Sequence, residues 1–211
     1  MSRQLGIFGS SGMARECRDI ADELGLEAVF IARAGEDLTQ LSLDAPVISE
    51  SELARYADLS CVIGVGEPAL RRILARRHAS RRFANLIHPA ASFGRGQRER
   101  VERQQGVIVC AGARLSCDVA VGDFTLFNLN STVNHDCLIG DFATLSPQAC
   151  VLGNVAVGEG AWVGAGAVIH QGTLQAKLSL GAFCVIGAGA VVLSDCQAEG
   201  VYAGVPARKL S

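Results

Sequence analysis

Aromatic side chains are scarce in this chain of 211 residues. Phe, Trp and Tyr together make up 5% of it, whereas hydrophobic residues make up 49% and glycine occurs 24 times. The interior must therefore be filled by small and aliphatic side chains. A chain this apolar, with a formal net charge of only −2, is not expected to be disordered, because disorder requires few apolar residues and a high net charge.

Three other features are missing, and each absence excludes a class of protein. The 19 Lys and Arg residues do not outnumber the 21 Asp and Glu residues, which argues against a nucleic-acid binder. The longest apolar stretches, such as 161–169, are far shorter than the ~18–20 residues of a membrane span, so we expect no membrane insertion. The N-terminus lacks the apolar core of a signal peptide, which predicts a cytoplasmic protein.

Paired cysteine motifs are absent as well. The chain holds eight cysteines, but no two of them form a CxxC pair. Their spacing predicts neither a zinc site nor a thioredoxin-type redox site, so we assign no metal ligands. In a cytoplasmic protein we expect these thiols to be buried and reduced.

The first part of the chain, positions 1–88, alternates between short apolar runs and helical patterns. The runs predict strands at 5–8, 28–31, 61–65 and 83–87. One helix follows the loop Gly9-Ser10-Ser11-Gly12, and a second begins at Pro68. This alternation predicts that residues 1–88 form a small Rossmann-like βαβ domain with a parallel sheet. Ligands of such sheets bind beyond the carboxyl ends of the strands, near the glycine loop.

Polar segments surround the end of this first part. Six arginines lie on or next to the second helix, at 71, 72, 76, 77, 81 and 82. A phosphate or nucleic-acid site is conceivable there, but the charge balance of the whole chain favours a solvated or intersubunit helix face. Residues 95–105 are polar and of mixed charge, which predicts an exposed loop where the two parts of the chain meet.

From residue 107 onward the apolar residues recur every six positions. The column of large residues is Val109, Leu115, Val121, Phe127, Val133, Ile139, Leu145, Val151, Val157, Val163 and Ile169. A second column, two residues earlier, holds only small or β-branched residues. A six-residue period indicates one short strand and one turn per repeat, so three repeats close one triangular coil. Large aliphatic residues fill its axis, and aromatic rings would be too wide for it.

The period changes after Ile169. The large column resumes at Leu174, Leu180, Ile186 and Val192, so that the step from 169 to 174 is one position short. We expect either an irregular rung or a protruding loop around residues 173–178.

One histidine falls on a corner of the predicted coil. His135 lies two residues after the column member Val133, and the same corner holds Gly153 one coil later and Cys117 one coil earlier. A histidine there can act as general base, and the adjacent Asp136 can fix its tautomer. The Gly153 N–H can stabilise an oxyanion. The alternative is that His135 is a surface turn residue with a chance acidic neighbour.

Several segments together resemble one family. They are Asn-His-Asp-Cys-Leu-Ile-Gly-Asp-Phe at 134–142, the glycine loop, Asn-Leu-Ile-His-Pro at 85–89 and Gly-Val-Pro-Ala-Arg at 204–208. They resemble the hexapeptide-repeat sugar acetyltransferases, which include sialic acid O-acetyltransferases and N-acetyltransferases of nucleotide-linked 4-amino sugars. The resemblance covers essentially the whole chain. It implies a nucleotide-sugar-binding βαβ domain at 1–88, a left-handed parallel β-helix at 89–211, a homotrimer, and acetyl-CoA between neighbouring helices.

The resemblance also implies roles for residues. His135 would be the general base assisted by Asp136, Asn128 would lie near the acceptor, and the Gly153 N–H would hold the acetyl carbonyl. CoA would lie along Gly204, Val205, Pro206 and Ala207. The diphosphate of the nucleotide sugar would bind at Gly9, Ser10, Ser11 and Gly12. The chain departs from the family pattern at Thr144 and Met13, where histidine is usual, and at Ala32-Arg33, where an acidic pair is usual.

These observations predict an acetyl-CoA-dependent N-acetyltransferase that acts on a nucleotide-linked 4-amino-deoxy sugar in bacterial surface-glycan synthesis. A sugar hydroxyl, as in sialic acid O-acetylation, is the alternative acceptor. A non-catalytic β-helix that serves as a binding or scaffold protein is the alternative of another class. The sequence names neither the sugar nor the nucleotide.

Overall fold

The structure, a computed structural model, describes residues 4–37 and 43–210. The chain begins with a four-stranded parallel sheet in the order β3-β2-β1-β4. Its strands are β1 (Gln4–Phe8), β2 (Glu27–Ala32), β3 (Val47–Ser49) and β4 (Ser60–Ile63). Two helices pack on it, α1 (Gly12–Glu23) and α2 (Pro68–Arg77), and a 3₁₀ helix spans Glu50–Arg55. The parallel α/β arrangement predicted for the first part is confirmed, but the strand expected at 83–87 does not join this sheet. Leu86–Ile87 pairs with Ile108–Val109 in the β-helix, whereas Phe83 forms a single bridge with Cys61 of β4.

Strands of two or three residues stack from residue 86 onward into three parallel faces of a β-helix. The first face holds Leu86–Ile87, Ile108–Val109, Leu126–Phe127, Thr144–Leu145, Trp162–Val163, Val185–Ile186, Val201–Ala203 and, antiparallel at its end, Arg208–Lys209. The second holds Ser92–Phe93, Arg114–Leu115, Thr132–Val133, Cys150–Val151, Val168–Ile169 and Val191–Val192. The third holds Ala120–Val121, Leu138–Ile139, Val155–Val157 and Leu178–Leu180.

The six-residue period sets the register of these faces. Phe127 pairs with Val109 below it and with Leu145 above it, and each partner is three repeats away along the chain. Every residue of the predicted large column from 109 to 169 is buried, and so is every member of the small column. The predicted fold class is confirmed, with an α/β part followed by a parallel β-helix.

Each turn between faces uses a residue with left-handed backbone geometry. Such residues recur every six positions, with φ between 55° and 61° at 118, 124, 130, 136, 142, 148 and 154. None of these seven is glycine, and most are Asn, Asp or Phe. Glycine takes the same turn position with positive φ at 106, 112, 160 and 166, and other glycines occur one residue after several members of the large column. Those glycines serve close packing, because a Cβ at Gly140 would lie 2.6 Å from the Glu159 nitrogen of the next coil.

Five residues are inserted into the last complete coil. Val163 pairs with Ile186, and Ile169 pairs with Val192, so each of these pairs is separated by one regular coil plus five further positions. The extra residues form a loop after Ile169, and Leu174 at its tip is 99% exposed. The assignment of Leu174 to the apolar column is therefore wrong. The expectation of a protruding loop near 173–178 is confirmed, and the next column member is Leu180.

A buried arginine joins the two parts of the molecule. Arg71 on α2 is 1% exposed and uses all its donor groups. Its Nε donates to Phe124 O, and its other nitrogens donate to the carbonyls of 65, 66, 142 and 143 and to Thr144 Oγ1. The predicted solvated helix face is therefore wrong for Arg71. Because these acceptors belong to both parts, its guanidinium fixes α2 against the β-helix.

Phenylalanine rings line the same junction. The ring centroids of Phe83 and Phe124 are 5.0 Å apart, and those of Phe124 and Phe142 are 5.1 Å apart and stacked. The axis of the β-helix contains one phenylalanine among its predicted column members, Phe127, which is fully buried. The expectation that an aromatic ring is too wide for the axis is therefore wrong at this position. More phenylalanine rings therefore pack at the junction of the two parts than among the column members in the axis of the β-helix.

Two segments differ from the sequence-based expectations. Residues Gln97–Glu102 form a third helix, α3, although 95–105 was expected to be a loop, because Val101 is buried and Gln97 bonds both backbone groups of Val119. Strand β3 was not expected, because it is only three residues long. No helix in the described ranges is long and apolar enough to cross a bilayer.

Candidate active site

His135 lies on the edge between the second and third faces, which we call the base edge. It follows the strand Thr132–Val133, and the Val133 side chain of that strand is buried in the core of the β-helix. Its side chain is 59% exposed, and its Nδ1 lies 2.8 Å from Asp136 Oδ2. A carboxylate bonded to one ring nitrogen favours the tautomer in which the other nitrogen, Nε2, is free to accept a proton.

Gly153 occupies the rung directly above His135. A Cβ at position 153 would lie 2.6 Å from His135 Nε2 and 2.5 Å from its Cε1, so only glycine leaves room for the ring. No acceptor in the described part of the chain takes a hydrogen bond from the Gly153 N–H. The unpaired N–H and the unpaired ring nitrogen therefore belong to adjacent rungs of one edge.

The inserted loop forms the far wall of a cavity on the base edge. This cavity measures about 660 Å³ and is lined by His135, Asp136, Gly153, Asn154, His170, the loop residues 171–174, and Leu193. Sequence reasoning did not place His170, Asn154 or the loop beside His135. The stacking rule itself could have found Asn154, since it lies exactly one coil after Asp136.

The thiol next to His135 is not suited to be a nucleophile. Cys137 is buried, and its Sγ lies 3.1 Å from the carbonyl of Leu152 and 3.5 Å from that of His135. Burial raises the pKa of the Cys137 thiol above its ordinary value. All eight cysteines are free, and six of them are buried, whereas Cys117 is exposed and Cys150 is partly exposed. Burial also raises the pKa of Cys110 and Cys184 to about 12.

The glycine loop lies at the carboxyl ends of β1, β2 and β4. Gly9 has φ +109° and packs against Gly64, where a Cβ at Gly9 would lie 3.2 Å from the Gly64 oxygen. Gly9, Ser10 and Ser11 line a second cavity, of about 460 Å³, together with Arg33, Glu36 and an apolar floor that includes Ile31 and Leu74. Ser10 Oγ donates to Glu36 Oε1 at 3.2 Å, so the loop and the residues after β2 bound one cavity.

Asn128 lies beside this loop and not beside His135. It follows the strand Leu126–Phe127 and therefore lies on the edge between the first and second faces, which we call the acceptor edge. Its Nδ2 is 3.9 Å from Met13 Sδ, next to Gly12 at the start of α1. Within one chain the structure therefore separates the candidate base from the candidate acceptor residues.

The C-terminal tail closes the end of the β-helix at the acceptor edge. Gly204 O accepts from Val191 N at 3.0 Å, and Ala207 N donates to Val191 O at 2.8 Å. Between them Val205 is 73% exposed. The tail Gly204-Val205-Pro206-Ala207 is thus held at both ends with an apolar side chain turned to solvent.

The departures from the family pattern lie at the α/β junction and at the second cavity. Thr144 is buried, accepts from Arg71 and donates to Gly66 O at 2.9 Å, so it serves the interdomain contact. Arg33 takes part in the wall of the second cavity, and its backbone N donates to Glu36 Oε2 at 3.1 Å. Glu36 thus supplies a carboxylate to this cavity, where the family pattern would have an acidic pair at positions 32 and 33.

Known proteins resemble this chain in both sequence and structure. The PglD N-terminal domain family matches residues 4–78. The GDP-perosamine N-acetyltransferase of Escherichia coli O157:H7 is 39% identical over 77 residues, which are 36% of this chain and 35% of that protein. The matches to curated relatives thus span only about a third of those proteins' length.

Solved structures match over the whole chain. The acetyltransferase domain of PglB from Neisseria gonorrhoeae FA1090, in complex with acetyl coenzyme A, is 29% identical, covers 100% of both chains and has a TM-score of 0.86. PerB from Caulobacter crescentus, in complex with CoA and GDP-perosamine, is 28% identical, covers 99% of this chain and 97% of its own, and has a TM-score of 0.85.

The α/β part, the β-helix and the base edge define a hexapeptide-repeat protein of the acyltransferase type. The match to the PglD N-terminal domain and the full-length structural matches narrow this class. The chain is thus similar over its whole length to the hexapeptide-repeat sugar acetyltransferases.

Proposed function

We propose that this chain transfers an acetyl group from acetyl-CoA to the amino group of a nucleotide-linked 4-amino-deoxy sugar. The observation that carries the proposal is the base edge, where a histidine oriented by a carboxylate lies against a glycine with a free N–H. The relatives support the substrate classes, since PglB is described with acetyl coenzyme A and PerB with CoA and GDP-perosamine.

The geometry supports direct transfer. The acceptor amine attacks the thioester carbonyl, and His135 Nε2 takes the proton that the nitrogen loses. The Gly153 N–H stabilises the negative charge that develops on the carbonyl oxygen. The adduct then collapses, the C–S bond breaks, and CoA leaves as the thiolate. Asp136 holds the imidazolium formed on His135, and no covalent enzyme intermediate is needed.

The separation of the two edges supports a homotrimer as part of the proposal. His135 lies on the base edge, whereas Asn128 and the glycine loop lie on the acceptor edge of the same chain. A cyclic assembly would place the base edge of one subunit against the acceptor edge of the next. Acetyl-CoA would then lie between neighbouring β-helices, with the tail 204–207 along it. The nucleotide sugar would lie across residues 9–12.

The acceptor could also be a hydroxyl, as in sialic acid O-acetylation. The feature that favours it is Arg33, because a guanidinium in the wall of the second cavity would pair with a carboxylate as readily as with a phosphate. In either case we place the protein in the cytoplasm as part of the proposal. We also keep the division into a nucleotide-sugar domain and an acetyltransferase domain, but the first strand of the β-helix, Leu86–Ile87, lies before the boundary expected between 88 and 89. A third possibility is a β-helix that binds without catalysis.

CoA release tests the activity. The protein is incubated with acetyl-CoA, a thiol reagent, and GDP- or UDP-linked 4-amino sugars or sialic acid, and a blank without acetyl-CoA corrects for the exposed Cys117. We expect release with an amino sugar and a fall of about 10² to 10⁴-fold in kcat for His135→Ala. Release with sialic acid alone would overturn the N-acetyl choice. No release with any acceptor would leave only the binding role.

Mixing subunits tests the composite site. His135→Ala and Asn128→Ala are each expected to be nearly inactive as homotrimers. If the two residues meet across an interface, trimers reassembled from equal amounts would regain activity in about a quarter of their sites. No recovery in a reassembled trimer would show that both residues act within one chain.

A further inference from the structure

One side chain outside the hexapeptide pattern is bonded to the base edge. Lys177 ends the inserted loop, and its half-buried side chain points back toward the edge. Its ammonium donates to the backbone carbonyl of Asp136 and, at 2.8 Å, to Asn154 Oδ1. The chain has only one other lysine, Lys209.

The two acceptors of Lys177 belong to the rungs that carry the candidate chemistry. Asp136 follows His135, and Asn154 follows Gly153 on the next coil. Both have left-handed backbone geometry, with φ of 60° and 59°. The Asn154 N–H donates to His135 O at 2.9 Å, so the rungs are already in register. Lys177 adds a second connection between these two rungs, because its ammonium bonds both Asp136 O and Asn154 Oδ1.

The same asparagine ties the inserted loop to the edge. Asn154 Nδ2 donates to Thr173 O at 2.6 Å and to Ala176 O at 3.3 Å, and Gly172 N donates to Gly153 O at 3.0 Å. The loop and the two rungs are therefore one hydrogen-bonded unit. The ammonium of Lys177 supplies its charge-assisted bonds, which are stronger than neutral ones.

We propose that Lys177 is a positioning residue for acyl transfer, which holds the His135–Asp136 turn and the Gly153 rung at a fixed spacing. The inference rests on the proposed function, because it requires His135 to act as a base. Lys177 does not touch the reacting atoms, since its ammonium is bonded to protein oxygens. Without it, the backbone of Asp136 loses its ammonium donor, and the loop is held by neutral bonds alone.

The test compares kcat and KM in the full-length protein for Lys177→Met, Lys177→Arg and Lys209→Met. Lys209 is the matched control, because its ammonium bonds a single side-chain amide oxygen, that of Gln197, at 3.1 Å. We expect Lys177→Met to lose about 10- to 100-fold in kcat at pH 7, because small misplacements of a catalytic group cost factors of this size. Lys177→Arg keeps a cationic donor and should stay within about threefold of the wild type.

The pH dependence separates positioning from a loss of folded protein. The titratable side chains of the described cavity lining are His135, Asp136 and His170. When the base is poorly placed, the amine must lose its proton to solvent, which becomes easier as the pH rises. The deficit of Lys177→Met should therefore shrink between pH 7 and pH 9, whereas a smaller active fraction would give the same deficit at every pH.

The outcomes separate the two proposals. A wild type that releases no CoA with any acceptor overturns the proposed function and this inference with it. An active wild type together with an unchanged kcat in Lys177→Met, or with a deficit that is constant with pH, overturns the inference alone. Melting temperatures are measured for all variants, and Lys177→Gln is the second neutral variant if Lys177→Met does not fold.

Discussion

The two parts of the molecule build their cores in different ways. In the β-helix, each large aliphatic residue stacks on the column member three repeats away, so one short pattern repeats through the whole core. In the α/β part, β1 pairs with β2 and with β4, which lie at unequal distances further along the chain, and no period connects them. The first arrangement follows from local spacing, whereas the second depends on contacts between distant segments.

The same difference separates the candidate functions. The β-helix carries the base edge, where His135 and Gly153 come together because they share a position in successive coils. The α/β part carries the glycine loop, whose neighbours Arg33 and Glu36 are brought to it by sheet topology. A periodic scaffold thus brings the candidate catalytic pair together through the register of its coils, whereas the second cavity requires a folded sheet.

Replacing Arg71 with Met should break the connection between the two parts and give the largest effect. Five carbonyls and the Thr144 hydroxyl would lose the guanidinium as a donor. Each buried acceptor that is left without a partner costs about 1–3 kcal/mol, so we expect the free energy of urea unfolding to fall by at least that amount. Two separate transitions could then appear.

The adjacent arginine is the control for this experiment. Arg72 is partly exposed, pairs with Glu159 at 3.1 Å and lies over the Phe183 ring at 4.3 Å. An exposed pair of this kind contributes about 0–1 kcal/mol, so Arg72→Met should cost little. Equal losses for the two variants would contradict the role assigned to Arg71.

Truncating leucines in two coils should distinguish the regular register from the inserted one. Leu145 is fully buried in the axis, so Leu145→Ala should lower the free energy of unfolding by about 2–5 kcal/mol through lost burial and a cavity. Leu174 stands at the tip of the inserted loop and is 99% exposed, so Leu174→Ala should leave it within about 0.5 kcal/mol. Chemical denaturation measures both. A large fall in the free energy of unfolding for Leu174→Ala would show that Leu174 is a buried member of the apolar column.

Adding one methyl group should disrupt the base edge while leaving the fold in place. In Gly153→Ala the new Cβ would overlap the His135 ring, which must turn away from its place. We expect kcat to fall about 100-fold, which is typical of a misplaced catalytic group. Gly66→Ala is the control, since a Cβ there meets no atom within 4 Å. Wild-type activity in Gly153→Ala would remove position 153 from the site.

The loss of folding stability in acid should arise mainly in the α/β part, and it should be the smallest of these effects. The described carboxyl groups with shifted pKa values, Glu16, Asp44 and Glu50, all lie there. Burial alone would raise the pKa of Glu50, but the bonds from His78 at 2.6 Å and from Arg77 hold that pKa below its ordinary value. A carboxyl group whose pKa is lower in the folded state stabilises the fold above its unfolded pKa, and this stability is lost as the pH falls through the folded value.

Glu50→Gln should therefore be less stable than the wild type at pH 7, and the difference should shrink below about pH 4.5. Thermal melting at pH 7 and pH 4 measures it. Glu52→Gln, at a more exposed carboxylate two residues further on, is the control. A difference that grows as the pH falls would reverse the assigned sign.

The sequence determined the β-helix almost completely, because the six-residue spacing along the chain decides which side chains enter its core. The period alone assigns eleven column members from 109 to 169, and all are buried. The stacking of His135 against Gly153 follows from the same arithmetic. The period misassigns Leu174, because an apolar side chain at a near-matching interval does not reveal that five residues have been inserted before the next strand.

The tertiary structure decided what a repeat cannot encode. It turned Arg71 inward from a helix that looks solvated, because five carbonyls from three separate segments converge on its guanidinium. It brought Lys177 onto the turn that carries His135, although the two are more than two coils apart in sequence, and it set Asn128 against Met13 of the α/β part. Spacing in the sequence specifies contacts within a coil and between coils. Contacts between a loop and a coil, or between two domains, depend on how the completed surfaces fit.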